Sequence, residues 1–190
     1  LLAIAATAEL LGLEKIKTLT ILSQLESVSG RFQYVVSSNG VIAIVDYAHT
    51  PDALKNVLET INDIRTGNEK VITVVGCGGD RDATKRPKMA HIASQLSNQA
   101  IFTADNPRSE NPQTIIDEME TGVAPENYKK TLSILDRKQA IKTACKLSSQ
   151  GDIILIAGKG HENYQEINGI RTHFDDLEEV TNCFNQLKMN

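Results

Sequence analysis

The sequence predicts an α/β protein, with a Rossmann-like, mostly parallel sheet, helices on both faces and an antiparallel hairpin at its start. Two observations predict this fold. Short apolar runs rich in β-branched residues alternate with helical segments along most of the chain, as they do in parallel sheets covered by helices. In addition, Asn39-Gly40 separates two such runs, and this pair is typical of a tight hairpin turn.

The first part of the chain is predicted to be helical up to a linker at 27–30, where Ser and Gly interrupt the pattern. Pro51 fits the first turn of the helix that follows the hairpin, because its missing N–H is not needed there. The predicted elements are helices at 1–13 and 15–25, hairpin strands at 32–36 and 41–45, and a helix at 51–64.

The remaining elements alternate between strand and helix. Asp136 is placed to cap a helix, and Asn168-Gly169 predicts a second hairpin, followed by a closing helix after Asp176. The predicted strands are 71–75, 100–104, 131–135 and 152–157, and the predicted helices are 87–96, 112–119 and 138–147.

Composition restricts the class of protein. The formal net charge is −4, and Lys and Arg are scattered, so we expect no nucleic acid and no membrane as partner. The odd number of cysteines, Cys77, Cys145 and Cys183, has no paired spacing. We therefore expect packing thiols in a reducing cytoplasm. The chain opens on a helical Leu1 without Met, which suggests a piece of a longer polypeptide.

Four polar segments follow the apolar strands, and the carboxyl ends of parallel strands are where such sheets bind ligands. We therefore expect them to form one site. The segments are 46–52, 76–82, 105–108 and 158–162.

Two of these segments suit a ligand that carries a positive and a negative group. The glycine loop 76–82 offers backbone amides to an anion, and Arg81 can clasp a carboxylate. It lacks the full dinucleotide fingerprint and the Walker pattern, so a simple tight turn is the alternative. In Asp105-Asn106-Pro107-Arg108 the Asp can hold an ammonium group and the Arg a carboxylate. The alternative there is an Asx turn beside a solvated Arg.

The other two segments are less specific. Asp46 could accept a hydrogen bond from a sugar hydroxyl and His49 could contact phosphate, and the alternative is that the segment simply caps the helix at Pro51. Glu162 could bind an amine, whereas His161, His91 and His173 are expected to be structural or solvated. Lys85 and Arg86 are expected at a hydrated helix start. No nucleophile–base arrangement and no metal-ligand cluster appears, so no catalytic residue and no metal ligand is predicted.

Taken in order, five motifs resemble the Mur ligases, and within them the enzymes that add meso-diaminopimelate to a cell-wall precursor. Each motif alone is weak, but their order covers nearly the whole chain. They are Ser-Gly-Arg-Phe at 29–32, Asp-Tyr-Ala-His-Thr-Pro-Asp at 46–52, Gly-Cys-Gly-Gly-Asp-Arg-Asp at 76–82, Asp-Asn-Pro-Arg at 105–108 and Gly-Lys-Gly-His-Glu at 158–162.

The resemblance implies that residues 1–28 are the tail of a central ATPase domain and that 29–190 form the C-terminal amino-acid-binding domain. ATP and Mg²⁺ would be bound mainly by the central domain, which lies outside this chain together with the remaining domains of the polypeptide. The partners implied are ATP, meso-diaminopimelate and UDP-MurNAc-L-Ala-D-Glu, whose carboxyl group is activated as an acyl phosphate. The chain alone is expected to be inactive.

The resemblance also implies residue roles. Arg108 is expected to set specificity, because it can bind the second carboxylate that lysine lacks, and an unpaired Arg would penalise lysine. The residues implied to bind meso-diaminopimelate are Arg81, Asp105, Asn106, Arg108, Gly158 and Glu162, and those implied around the nucleotide are Arg31, Asp46 and His49.

Several alternatives stay open at this point. Within the same enzyme class they are a lysine-adding ligase and a folylpolyglutamate or cyanophycin synthetase relative. A non-catalytic module that binds an amino acid or a nucleotide is the alternative from another class. A dinucleotide-dependent oxidoreductase is disfavoured by the incomplete glycine fingerprint.

Overall fold

The computed structural model describes residues 2–23 and 29–188. The chain starts with two helices, α1 (Leu2–Leu10) and α2 (Lys15–Ser23). Residues 24–28 lie outside the described residues, and with them the first half of the predicted linker at 27–30 and the domain division after residue 28.

Apart from the two hairpins and a 3₁₀-helix, the remaining elements alternate between strand and helix, as the apolar pattern predicts. They are β1 (Gln33–Val36), β2 (Ile42–Asp46), α3 (Pro51–Ile64), β3 (Val71–Val75), α4 (Lys85–Leu96), β4 (Gln99–Phe102), α5 (Pro112–Glu120), a 3₁₀-helix (Pro125–Lys130), β5 (Thr131–Ser133), α6 (Arg137–Leu147), β6 (Ile153–Ala157), β7 (Tyr164–Ile167), β8 (Ile170–His173) and α7 (Asp176–Lys188).

Six strands form one sheet in the order β1-β2-β6-β3-β4-β5. Strand β1 pairs antiparallel with β2, from Gln33 opposite Val45 to Val36 opposite Ile42, and every other pairing in this sheet is parallel. The predicted fold class and the hairpin at Asn39-Gly40 are therefore confirmed. Strands β7 and β8 form a separate antiparallel hairpin, which was also predicted.

Two helices begin with side-chain caps of the kind that the sequence suggests. Thr50 caps α3 by accepting a hydrogen bond from Ala53 N, and Asp136 caps α6 by accepting from Gln139 N. Helix α4 begins two residues earlier than predicted, and its N-cap residue Thr84 makes no side-chain capping bond. Strands β4 and β5 end two residues earlier than predicted, and the 3₁₀-helix was not predicted.

The two faces of the sheet carry separate apolar cores. Helices α3, α4 and α5 cover one face, where Leu58 and Met89 pack with Leu155. Helices α6 and α7 cover the other, where Ile141 and Val180 pack with Ile156. Side chains of successive strand residues point to opposite faces, so a five-residue apolar strand such as β6 contributes to both cores.

Two further observations concern the described residues. The three cysteines are buried and free, as expected for packing thiols. None of the described helices is long and apolar enough to cross a membrane.

A buried ion pair joins the second core to the carboxyl edge of the sheet. Arg137, at the start of α6, donates from Nε and Nη2 to the two carboxylate oxygens of Asp176, at 2.8 and 2.7 Å. Its Nη2 also donates to Ala157 O at the end of β6, at 3.1 Å. Both side chains are fully buried. Because a buried charge is tolerated only when it is paired, this bidentate contact fixes the starts of α6 and α7 against β6.

We expect Asp176→Ala to destabilise the chain strongly, because the guanidinium of Arg137 would remain buried without a counter-ion. Loss of one partner of a buried pair costs about 3–5 kcal/mol, and urea unfolding should show a loss of that size. Lys138→Ala is the matched control, since Lys138 makes a more exposed ion pair with Glu179 between the same helices. It should change the free energy of unfolding by less than about 1 kcal/mol. Equal losses in the two variants would contradict this role of the buried pair.

Candidate functional site

Four neighbouring parallel strands end at one edge of the sheet, and each is followed by one of the predicted polar segments. In spatial order these strands are β2, β6, β3 and β4. Asp46 is the last residue of β2, Gly158 follows β6, Gly76 follows β3, and Asp105 lies three residues beyond the end of β4. The segments enclose a cavity of about 460 Å³, so the sequence correctly places them together.

The cavity brings together the six residues predicted to bind the amino acid, and His49. Arg31 and Asp46 do not line it. Gly76 and Gly78 belong to the glycine loop that was expected to offer amides to an anion. The other lining residues, which were not assigned a ligand, are Tyr47, Thr50, Asp82, Lys85 and Tyr164. The full lining is Tyr47, His49, Thr50, Gly76, Gly78, Arg81, Asp82, Lys85, Asp105, Asn106, Arg108, Gly158, Glu162 and Tyr164.

Asn106 is the most constrained polar side chain of the cavity wall, with an exposed fraction of 1%. Its Oδ1 accepts hydrogen bonds from Lys159 Nζ at 2.9 Å and from Glu166 N at 3.0 Å. Its Nδ2 donates to Glu162 Oε2 at 2.8 Å. Because an ammonium group can only donate, Lys159 fixes which end of the amide is the oxygen. Asn106 therefore orients the Glu162 carboxylate.

Lys159 is a site residue that the sequence reasoning missed. Its side chain is fully buried behind the cavity wall. Besides Asn106, its Nζ donates to Tyr164 O at 2.6 Å and lies 3.9 Å from Asp105 Oδ1. Burial lowers the pKa of the ammonium group, and the neighbouring Asp105 opposes that effect. A lysine between two glycines, directly after an entirely apolar strand, was the available signal.

Arg108 reaches the cavity from the turn after β4 and is half-buried. Its Nη1 donates to Gly79 O at 2.7 Å, and Gly79 N donates to Asn106 O at 2.9 Å. The two loops approach so closely that a Cβ on Gly79 would lie 1.9 Å from Pro107 O, so only glycine fits there. A guanidinium has five donors, and Arg108 therefore keeps capacity for a carboxylate.

Gly158 is needed for a similar reason on the other side of the cavity. Its backbone has a φ of 119°, and a Cβ there would lie 2.6 Å from Asp105 Oδ2. Residues with a side chain rarely adopt this conformation. The glycine thus lets the loop after β6 pass close to the Asp105 carboxylate.

Charges of both signs face the cavity. Its cationic residues are Arg81, Lys85 and Arg108, and its anionic residues are Asp82, Asp105 and Glu162. Partial burial, together with the carboxylates of Glu162 and Asp105, raises the pKa of Tyr47. This mixture suits a ligand that carries ammonium and carboxylate groups, and it suits a simple anion or cation less well.

The residues predicted around a nucleotide lie beside the cavity. Asp46 Oδ2 accepts a hydrogen bond from Phe32 N at 2.8 Å, which holds the turn that carries the exposed Arg31. The ring of Tyr47 lies 4.5 Å from that of His49 and 5.1 Å from that of His161, measured between centroids. These rings form an aromatic surface next to Asp46, and the binding of a nucleotide there stays a prediction.

The expectation of a hydrated Arg86 was wrong. Only 2% of Arg86 is exposed, and it pairs with Glu110 at 2.9 Å and Glu118 at 2.7 Å. Because α4 begins earlier than predicted, Arg86 falls within the helix and faces α5. Lys85 is only partly exposed, and its Nζ donates to His49 O at 2.8 Å.

Within 2–23 and 29–188, no group of three or more His, Cys, Asp or Glu side chains could hold a metal ion.

Comparison with known proteins places this chain in a family. Residues 30–160 match the family model described as Mur ligase, glutamate ligase domain. The chain is 60% identical over 176 residues to UDP-N-acetylmuramoyl-L-alanyl-D-glutamate–2,6-diaminopimelate ligase of Cytophaga hutchinsonii, covering 93% of this chain and 36% of that protein. It is 57% identical over 185 residues to the protein of the same name from Bacteroides thetaiotaomicron, covering 97% of this chain and 38% of that protein.

Solved structures agree with these sequence matches. A structure of a UDP-N-acetylmuramoyl-L-alanyl-D-glutamate–2,6-diaminopimelate ligase is 40% identical, with a TM-score of 0.78, over 97% of this chain and 37% of that one. UDP-N-acetylmuramate-alanine ligase from Thermotoga maritima has a TM-score of 0.66 at 20% identity, over 99% of this chain and 36% of that one, and shows the shared fold. The chain spans little more than a third of the length of the curated relatives named above. Since the family model covers more than half of the chain, the chain belongs to the Mur ligase family.

Proposed function

We propose that this chain is the C-terminal, amino-acid-binding part of an ATP-dependent ligase that adds meso-diaminopimelate to UDP-MurNAc-L-Ala-D-Glu. The observation that carries the proposal is the mixed-charge cavity, which Arg81 and Arg108 line together with Glu162. The high identity to proteins named as diaminopimelate ligases supports the choice of substrate.

The charges of the cavity match those of the proposed substrate. Meso-diaminopimelate carries two carboxylates and two ammonium groups, so its site needs both guanidinium and carboxylate groups. In the proposal, Arg81 and Arg108 bind carboxylates and Glu162 binds an ammonium group. Asn106 and Lys159 act behind Glu162, because they hold its carboxylate in one orientation.

Arg108 is proposed to select diaminopimelate over lysine. The two amino acids differ by one carboxylate, and a guanidinium placed for that group stays unpaired when lysine binds. An unpaired charge in a partly desolvated site penalises the wrong substrate more than an apolar contact could. The glycine loop supports this role, since Gly79 O fixes one end of the guanidinium.

The proposed reaction uses groups beyond this cavity. ATP would phosphorylate the D-glutamate carboxyl group, the amine of diaminopimelate would attack the acyl phosphate, and phosphate would leave. The chain's own contribution is to orient that amine and to exclude water around it. Residues 29–190 would form this domain, with Arg31, Asp46 and His49 beside the nucleotide.

Residues 1–28 are proposed to be the C-terminal tail of a central domain. That domain would make most of the contacts to ATP and Mg²⁺. The remaining domains of the polypeptide would then be needed for catalysis, and the isolated chain would be inactive. The buried free thiols fit a reducing cytoplasm, which is the compartment we propose.

The direct test is an assay of the full-length protein. Phosphate release should require ATP, UDP-MurNAc-L-Ala-D-Glu and meso-diaminopimelate together, and mass spectrometry should find the tripeptide product. Turnover with L-lysine in place of diaminopimelate would keep the family and overturn the substrate. Absence of turnover with every amino acid, in a folded protein that binds ATP, would contradict the proposal.

We expect Arg108→Ala in the full-length protein to lower kcat/KM for meso-diaminopimelate by about 30-fold or more, because truncating one partner of a buried hydrogen-bonded charge pair costs about 2 kcal/mol or more. Turnover of L-lysine should change little, so discrimination should collapse. Arg65→Ala is the matched control. Arg65 follows α3, donates to Glu69 O and Asn98 Oδ1 and does not line the cavity. Equal losses for both amino acids would refute the selectivity of Arg108.

Glu162→Gln should have a different signature from Arg108→Ala. The Gln amide oxygen can still accept from Asn106, but the charge that attracts an ammonium group is gone. A hydrogen bond to a charged group contributes about 1.5–3 kcal/mol, so kcat/KM should fall roughly 10- to 150-fold. Diaminopimelate and lysine should be affected alike, because both carry ammonium groups. A loss confined to diaminopimelate would show that Glu162 has another role.

A further inference from the structure

Arg108 has an unusual backbone conformation for a residue with a long side chain. Its φ is 54°, in the left-handed region, which costs an L-residue about 1–2 kcal/mol. Asp80, on the facing glycine loop, also has a φ of 54°. Such conformations persist only where surrounding contacts impose them. The contacts around Arg108 therefore show which residues set its backbone conformation and hence the direction of its side chain.

The β7–β8 hairpin holds the backbone of Arg108 from one side. Arg108 N donates to Glu166 O at 3.0 Å, and Asn168 N donates to Arg108 O at 2.6 Å. These bonds fix the position of the peptide groups on both sides of the Arg108 Cα. They involve backbone atoms only, so they depend little on side-chain identity.

On the side opposite the hairpin, Asp80 holds Ser109, the residue that follows Arg108. Ser109 Oγ donates to Asp80 Oδ1 at 2.7 Å, and Ser109 N donates to Asp80 Oδ2 at 3.2 Å. Both oxygens of one carboxylate are thus directed at a single residue. The hydroxyl and the amide of Ser109 lower the pKa of Asp80, so this carboxylate stays ionised at neutral pH.

Asp80 is itself anchored to the body of the domain. Its N–H donates to Glu110 Oε1 at 2.5 Å, and Glu110 pairs with the buried Arg86 at 2.9 Å. The position of Asp80 therefore depends on α4, which carries Arg86. Neither Asp80 nor Ser109 lines the cavity, so they can affect a ligand only through residues that do. Ser109 adjoins Arg108 in the chain, whereas Asp80 also accepts a hydrogen bond from Arg81 Nη1 through its carbonyl oxygen, at 3.1 Å.

We infer that Asp80 and Ser109 form a latch that holds Arg108 in its left-handed conformation and directs its guanidinium at the second carboxylate of the amino-acid substrate. The two are positioning residues. The inference rests on the proposed function, and it adds two determinants of substrate discrimination that touch no substrate atom.

The test uses the full-length protein with Ser109→Ala and Asp80→Asn. Asn tolerates the left-handed region but presents one acceptor where the carboxylate presents two. We expect kcat/KM for meso-diaminopimelate to fall about tenfold in Ser109→Ala, the size expected for one charge-assisted hydrogen bond. The loss should be smaller in Asp80→Asn. KM for ATP and turnover of L-lysine should stay unchanged.

Thr66→Ala is the matched control. Thr66 Oγ1 donates to Glu69 Oε1 at 2.5 Å in an exposed loop before β3, at the opposite edge of the sheet. It is the same hydroxyl-to-carboxylate contact far from the cavity. We expect Thr66→Ala to leave discrimination intact. Equal loss of diaminopimelate turnover in Thr66→Ala and Ser109→Ala would overturn the latch.

A double-mutant cycle separates positioning from general support of the fold. In the Arg108→Ala background, Ser109→Ala should cause no further loss of kcat/KM for diaminopimelate, because the group that it positions is absent. Additive losses would overturn the inference. Failure of the wild-type protein to use diaminopimelate would overturn the proposed function, whereas normal turnover and discrimination in Ser109→Ala would overturn only the latch.

Discussion

The parallel alignment of β2, β6, β3 and β4 is the constraint on which the candidate site depends. Parallel neighbours end on the same side, so four polar segments that are far apart in sequence meet at one edge of the sheet. The apolar strands align because their side chains are buried on both faces. A charged substitution inside β6 would thus affect the cavity as well as the core, since both flanking strands pair with it.

The same edge carries charged groups that are expensive to bury, and the two most buried cations are paired. Lys159 is enclosed by Asn106, Tyr164 and Asp105, and Arg137 is held by Asp176. Such pairs add little net stability compared with apolar packing, because desolvation offsets their attraction. Their consequence here is geometric, since the contacts of Lys159 leave Asn106 and Glu162 few alternative orientations. A preorganised site of this kind loses less entropy when a ligand binds.

The fold and the location of the candidate site could be predicted from sequence because both depend on local patterns. Apolar runs such as 71–75 give the strands, and the polar residues after them give the site. The roles of Lys159 and Arg86 could not be predicted, because the burial of a long cationic side chain depends on partners that are distant in sequence. The partner of Lys159 is Asn106, and the partner of Arg86 is Glu118. The left-handed backbone of Arg108 likewise arises from contacts with the β7–β8 hairpin and the glycine loop.

If Arg108 and Glu162 bind opposite charges of one amino acid, a crystal structure of the full-length protein with meso-diaminopimelate will show both contacts at once. We predict a carboxylate of the ligand on the guanidinium of Arg108 and an ammonium group on Glu162, with the bond from Arg108 to Gly79 O retained. A ligand bound with Arg108 turned to solvent, or bound outside this cavity, would contradict the proposed roles of both residues.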